Sequence, residues 1–270
     1  MSDAGAELMT EQLAPPSNLT ETPVGDILAK SRLDGDGSLT QQVYRLLHQL
    51  IVNLHLVPNQ FLPEKDVAAG LDISKTPVRE AFIRLSEEGL VSIVPKIGTY
   101  VSPIDIKRAF RGYFIRESLE SACAETLAKN GTDEAFATLA GELAEQEKCV
   151  ASGDSDGFYV LDNRFHAVMF TAAGLLNARR LVDAAKSEVD RIKGLKSIYR
   201  FCRPDDVLYR EHADIYQAMR DGDGKRARDG IRNHLTGMNE AIQAILKEDK
   251  LWRMFNRINE GAVDGRQSQQ

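Results

Sequence analysis

From residue 105 to about 250, apolar residues recur at three- and four-residue spacing with few interruptions. This is the period of a helix that buries one face. The breaks are of the helix-ending kind: Asn130-Gly131, Gly153, Gly174, Pro204, and the pair Gly222 and Gly224. They predict six helices, roughly 105–130, 132–151, 155–173, 177–201, 206–220 and 224–248. Amphipathic helices joined by short turns bury their stripes against one another, so this part of the chain is expected to be an all-α bundle. With 270 residues there is room for a second domain ahead of it.

That region, 38–104, mixes short helical patterns with a small β element. Residues 39–56 carry Val43, Leu46, Leu47, Leu50 and Ile51 on one helical face. His48 and His55 lie in the same stretch with no ligand-type neighbour at helical spacing, and read as surface or partly packed residues. In "LPEKDVAAGL", Pro63 suits a first helical turn and Gly70 the position just past the end. A turn, "LDI", leads into residues 74–90, with Ser74 as N-cap and Pro77 in the first turn. Val78, Phe82 and Leu85 point inward there, leaving Lys75, Thr76 and Arg79 outward near the start. Two β-rich runs, 90–94 and 99–102, then flank a turn made by Pro95 and Gly98, with Lys96 at its tip.

A short helix, a tight turn and a second helix that presents Lys, Thr and Arg at its start make a helix-turn-helix layout. An Arg so placed can reach O6 and N7 of guanine together, and the hairpin, as a wing, lies near the backbone or minor groove. The same elements also fit a three-helix subdomain with no role on DNA. Residues 39–104 hold six basic and six acidic residues, so only one edge can be basic.

Charge is concentrated elsewhere. Of a net −6, residues 1–37 hold seven acids against two bases, in a stretch rich in Pro, Ser, Thr and Gly that reads as a disordered acidic tail. Its start has neither a basic patch nor an apolar core, unlike a secretory signal. No apolar run approaches the roughly 18–20 residues of a membrane helix. Cys123, Cys149 and Cys202 are scattered and odd in number, which suits reduced core thiols in a cytoplasm. Residues 251–270 read as a C-terminal tail, the bundle domain spanning 105–250.

Polar residues stand on several inward stripes. In the third bundle helix Asp162 and His166, one turn apart, accompany Phe158, Phe165 and Met169. In the fifth, His212 stands with Leu208, Ile215 and Met219; in the sixth, His234 stands with Ile231, Leu235 and Ile242. Burying four such groups costs several kcal/mol unless each finds a partner. Three neutral imidazoles and a carboxylate suit Zn²⁺ or Ni²⁺, with Mn²⁺ or Fe²⁺ admissible, and a mutually hydrogen-bonded Asp–His cluster is the alternative. The first bundle helix sets Arg116 on a stripe with Tyr113, Glu120, Cys123 and Leu127. Arg116 either pairs with Glu120 or clamps the carboxylate of a ligand.

The string "TPVREA…RL…EGLV…P…G…V" within "LPEKDVAAGLDISKTPVREAFIRLSEEGLVSIVPKIGTYV" resembles the winged helix-turn-helix of GntR-type bacterial transcription regulators over about 60 residues. The resemblance implies DNA contacts by Lys65, Lys75, Thr76, Arg79 and the wing residue Gly98, to which the hairpin pattern adds Lys96 at the wing tip. Lysine at 65 and 75, where the family often has arginine, makes phosphate contacts the expectation there. Residues 105–245 resemble the all-helical FCD ligand-binding domain of the FadR subgroup, and the six-helix count is nearest its VanR-like branch. Its metal set maps onto Asp162, His166, His212 and His234, and "RESLES" matches a signature whose arginine, here Arg116, faces the effector. The resemblance thus implies a cytoplasmic homodimer, no enzyme, reading a palindromic operator in double-stranded DNA. It implies a repressor whose metal and a small organic acid modulate binding. A direct metal-sensing repressor and a metal-dependent hydrolase fused to a DNA-binding domain are the alternatives.

Overall fold

A computed structural model describes residues 22–194, 204–247 and 249–260. In chain order the elements are α1 (Val24–Ala29), α2 (Leu39–Val52), β1 (Phe61–Leu62), α3 (Glu64–Gly70), α4 (Lys75–Glu87), β2 (Val91–Val94) and β3 (Gly98–Val101). There follow α5 (Ile106–Asn130), α6 (Asp133–Ser152), α7 (Ser155–Ala172), α8 (Leu176–Ala185), α9 (Ser187–Gly194), α10 (Asp205–Arg220), α11 (Gly224–Lys247) and α12 (Asp249–Glu260). The chain is mainly α, as its periodicity requires. It divides into two compact units: the first takes α1 to β3, α9 from Asp190 on and α12, and the second takes α5 to Val189, α10 and most of α11.

In the first unit, α2 begins with a reciprocal cap. Ser38 Oγ accepts from Gln41 N–H, and Gln41 Oε1 accepts from Ser38 N–H. Leu47 and Ile51 from α2, Val67 from α3, and Val78, Phe82 and Leu85 from α4 form one apolar core. The α3–α4 turn places Asp72 in the left-handed region (φ 54°), a conformation that Asp tolerates better than most residues. Ser74 precedes α4 as expected, but its hydroxyl makes no cap hydrogen bond. The hairpin gains a third strand, giving an antiparallel sheet of order β1-β3-β2. Gly98 has φ 142°, and a Cβ there would stand 2.4 Å from the Phe61 ring of β1, so glycine is required on both counts.

Three expectations need correction. Residues 22–37 are not a tail: Val24 and Leu28, four apart on α1, are buried in the first unit's core, and Asp34 forks onto Arg45 with two 2.7 Å contacts. The acidic composition concealed Val24 and Leu28, with Ile27 and Leu33 packed beside them. Residues 251–260 belong to α12 and are not a tail either. The side chain of Asn259 accepts from the Ile104 N–H (2.9 Å) and donates to the Ile104 carbonyl (3.2 Å), and Arg191 donates to the carbonyls of Ser102 (2.7 Å) and Pro103 (3.3 Å). Together with Ser102 N–H on Leu90 O, every backbone polar group of 102–104 is satisfied. Third, the helix expected at 177–201 is two, α8 and α9, parted at Lys186, and its end at 195–201 lies outside the described residues. Residues 1–21, 261–270 and Cys202 also lie outside them.

The second unit packs its helices around Leu127, Leu139, Phe165, Met169, Phe170, Ile215, Met219, Ile231 and Leu235. Thr132 and Asp154 cap α6 and α7 through Ala135 N–H and Gly157 N–H. Gly112 allows α5 and the end of α8 to meet: a Cβ there would stand 2.2 Å from the Ala185 carbonyl oxygen. That approach brings α8 alongside Arg116, one turn further along α5.

Candidate functional site

Asp162, His166, His212 and His234 converge. One ligand-type atom from each lies within 4.8 Å of all the others, and all four residues are buried. They come from α7, α10 and α11, helices whose order in sequence gives no hint of the meeting. His166 Nε2 is 3.2 Å from His234 Nε2, which is 3.3 Å from His212 Nε2; Asp162 Oδ1 is 3.6 Å from His212 Nε2. The Phe165 ring stacks on His212 at 4.5 Å and 23°, holding that imidazole in plane.

The opposite edge of each ring is committed. His212 Nδ1 is 2.8 Å from Gln146 Oε1, and Gln146 is oriented by donating its Nε2–H to the Leu161 carbonyl. His234 Nδ1 is 2.8 Å from Glu211 Oε2, and His166 Nδ1 is 2.7 Å from Glu120 Oε2. Carboxylate and amide oxygens only accept, so a proton on each Nδ1 would suit these contacts, and a neutral ring in that tautomer would turn its Nε2 lone pair to the centre. One proton could bridge one Nε2 pair, but it could not serve three nitrogens and a carboxylate together. A cation can. Ligand atoms about 2.0–2.1 Å from a tetrahedral ion stand about 3.3–3.4 Å apart, which matches the observed nitrogen separations. The donor set and its outer oxygens therefore fit a divalent metal of the Zn²⁺ type.

The sequence reading missed Gln146, Glu120 and Glu211 as orienting groups. Gln146 was findable in principle, since it lies on the inward stripe of α6 with Leu139 and Leu143. Replacing Gln146 by leucine is expected to weaken metal binding about 10- to 100-fold while leaving the helical fold. Competition against a chromophoric chelator measures this, and unchanged affinity would remove Gln146 from the site.

Arg116 is buried and forks to Glu120, with Nε to Oε1 at 2.7 Å and Nη2 to Oε2 at 3.4 Å. This is the ion pair that the sequence left open as one of two roles. Burial alone would push the Glu120 carboxyl up, but the Arg116 guanidinium, and the His166 ring beside it, hold it well below the usual carboxylate range. Glu120 thus joins the arginine to a candidate metal ligand. Burial and the Glu120 charge push the Cys123 thiol up to about 12, so it is inert as a nucleophile.

In the first unit Lys65, Lys75, Thr76, Arg79 and Lys96 are exposed, the first four on α3 and the start of α4, and Lys96 (φ 65°) at the wing tip. Arg79 is forked by Glu64 at 2.9 and 3.1 Å, which sets the plane of the guanidinium. The hydrogen bond from Arg79 holds Glu64 below the usual carboxylate range. His48 packs on Tyr44 and His55 is exposed, as expected of residues without a ligand role.

Comparison with known proteins agrees with this division. Residues 39–101 match the family model described as bacterial regulatory proteins, gntR family, and residues 112–237 match the FCD domain. The HTH-type transcriptional repressor RspR of Escherichia coli K12 is 31% identical over 83% of this chain and 97% of its own length. An HTH-type regulator from an unstable DNA locus of Streptomyces ambofaciens is 34% identical over 76% of this chain and 85% of its own. Among solved structures, E. coli McbR/YncC shares the fold, with a TM-score of 0.63, 21% identity, and coverage of 82% of this chain and 100% of that one. These relatives are regulators and not enzymes. The chain belongs to the GntR family of bacterial transcription regulators, and within it to the proteins that join a winged helix-turn-helix to an FCD domain of the FadR type.

Proposed function

We propose that this regulator is a homodimeric repressor whose FCD domain holds one divalent cation per chain through Asp162, His166, His212 and His234. A small carboxylate-bearing metabolite binds beside the cation and changes operator affinity. The observation that carries this reading is the convergence of four buried ligand-type atoms, three of them imidazole nitrogens, within 4.8 Å of one another, with an oxygen 2.7–2.8 Å from the far nitrogen of each ring. The bound ion would supply positive charge and, where its coordination expands beyond the four protein ligands, a place for one ligand oxygen. Arg116 would take the other oxygen, exchanging Glu120 for the ligand in whole or part. Glu120, Gln146 and Glu211 keep the rings turned inward throughout. A two-fold dimer presents two α4 helices to half-sites about one helical turn apart, as expected for a palindrome. Relatives named as repressors favour that sign of control, and the setting is a cytoplasm.

A direct metal sensor is the second reading. Arg116 is already paired with Glu120, and the cavity beside them is only about 10 Å³, room for a single water. Two measurements separate the readings. Native mass spectrometry of the purified full chain should show two chains with two metal ions. Operator affinity at saturating metal should then change on adding an organic acid. If metal alone moves the affinity, the acid has no part. If the purified chain neither retains nor takes up an ion, both readings fail.

A further inference from the structure

The sheet of the first unit is thinly held at one end. β2 and β3 pair from Val94↔Gly98 at the wing tip to Val91↔Val101 at the base, but β1 adds only Phe61↔Tyr100 and Leu62↔Thr99. So short an edge strand contributes little rigidity of its own. At the base of the sheet, Asn259 of α12 makes three hydrogen bonds. Its side-chain amide accepts from the Ile104 N–H and donates to the Ile104 carbonyl, and its backbone carbonyl accepts from Asn59 Nδ2. Asn59 leads into β1 and Ile104 follows β3, so one residue ties the entry of the edge strand to the exit of the central one. Asn59 N–H in turn donates to the Val101 carbonyl at 2.8 Å. One turn back along α12, Phe255 is buried, and Trp252 stacks on its ring at 5.9 Å, so Asn259 stands on an inward face. α12, Asn59 and Ile104 all belong to the first compact unit.

We propose that α12, which lies beyond residue 237 where the FCD match ends, is a working part of the DNA reader, and that Asn259 is a positioning residue for the wing. β2 and β3 act as a lever: with the base of the sheet fixed, the tip that carries Lys96 and Gly98 is fixed against α4, and with the base loose the tip wanders. A side-chain amide offers a donor and an acceptor side by side, which is what the N–H and carbonyl of one residue require. Leucine offers neither, and would leave both groups of the buried Ile104 without their partner. The inference rests on the wing touching DNA through Lys96, as the helix-turn-helix layout leads one to expect. A helix that serves stability alone is the rival.

An operator duplex selected from random sequence with the full chain tests this, by anisotropy over a series of salt concentrations. Asn259→Leu should weaken operator binding about 10-fold, as if about a tenth of the chains kept the wing in place. It should also lower the slope of log affinity against log salt by about 1, the share of one phosphate contact. Adding Lys96→Ala to that variant should then cost little, although Lys96→Ala in the otherwise wild-type chain weakens binding and lowers the slope. A loss of folded protein alone would change neither the slope nor the cost of Lys96→Ala. Asn59→Ala, which removes one of the three hydrogen bonds, should move both readouts the same way by less. An unchanged slope in Asn259→Leu, or an equal cost of Lys96→Ala in both backgrounds, would overturn the inference and leave the wing on DNA. If Lys96→Ala costs nothing even in the wild-type background, the wing reading falls and this inference with it. Should Asn259→Leu not fold, the same readouts on Asn59→Ala decide, and wild-type values there overturn the inference.

Discussion

His212→Ala is expected to abolish the thermal stabilisation that a divalent cation gives the wild-type chain. A ligand that binds only the folded state stabilises it by about 2.7 kcal/mol at 100 times its Kd. The wild-type melting temperature should therefore rise by several degrees on adding zinc or nickel. In the proposed site His212 is one of four donors, and a structural zinc site is worth about 10–16 kcal/mol in all. Losing one donor should thus weaken binding by about 100-fold or more. The metal-free variant should also be less stable than the metal-free wild type. The alanine leaves a void against the Phe165 ring, and it leaves the buried Gln146 Oε1 without the imidazole proton. Relief of crowding between lone pairs offsets part of that loss. Thermal scans of both chains, with and without metal, read all of this. A wild-type melting temperature indifferent to zinc, nickel, manganese and iron would sink the metal assignment. An equal metal response in the variant would remove His212 from the site.

Arg79→Ala should cost roughly 1–3 kcal/mol of operator binding, about 5- to 150-fold, if the guanidinium reads a base. The substitution has a second consequence that the structure makes calculable in sign. Glu64 is forked by Arg79, so without it a carboxylate on the edge of the surface proposed to face the groove would lose its neutralising partner. Affinity for random DNA should therefore fall as well, and more so at low salt. The double variant Arg79→Ala with Glu64→Gln should recover the affinity for random DNA without recovering the preference for operator. Binding by anisotropy to operator and scrambled duplexes at two salt concentrations measures each part. An unchanged ratio of operator to random binding in Arg79→Ala would show that Arg79 serves only to hold Glu64.

Legibility followed the range of the interaction concerned. The inward positions of Asp162, His166, His212 and His234 were readable because helical period is a local property, and each residue falls on a stripe set by neighbours three and four positions away. The exposed edge of α4 was readable for the same reason. The break at Lys186 was not, because nothing near it in the chain ends a helix. The short α1, six residues long, acquires meaning only when a core already exists to receive it, whereas α12 was legible, since Leu251, Met254, Phe255 and Ile258 recur at three- and four-residue spacing. Arg116 shows the limit of chemistry read by type: an inward arginine demands an anion, but its identity as Glu120, which also reaches His166, needs three dimensions.

Periodicity and turn residues sufficed for an all-helical second unit, a winged helix-turn-helix before it, and four metal-type residues turned to a core. They could not bring α7, α10 and α11 to one point, nor place Glu120, Gln146 and Glu211 behind the rings so that three imidazole nitrogens face one another in 3.2 and 3.3 Å steps. Those contacts join residues as far as 68 positions apart. They depend on how whole helices pack, a property decided by all the side chains of the core at once.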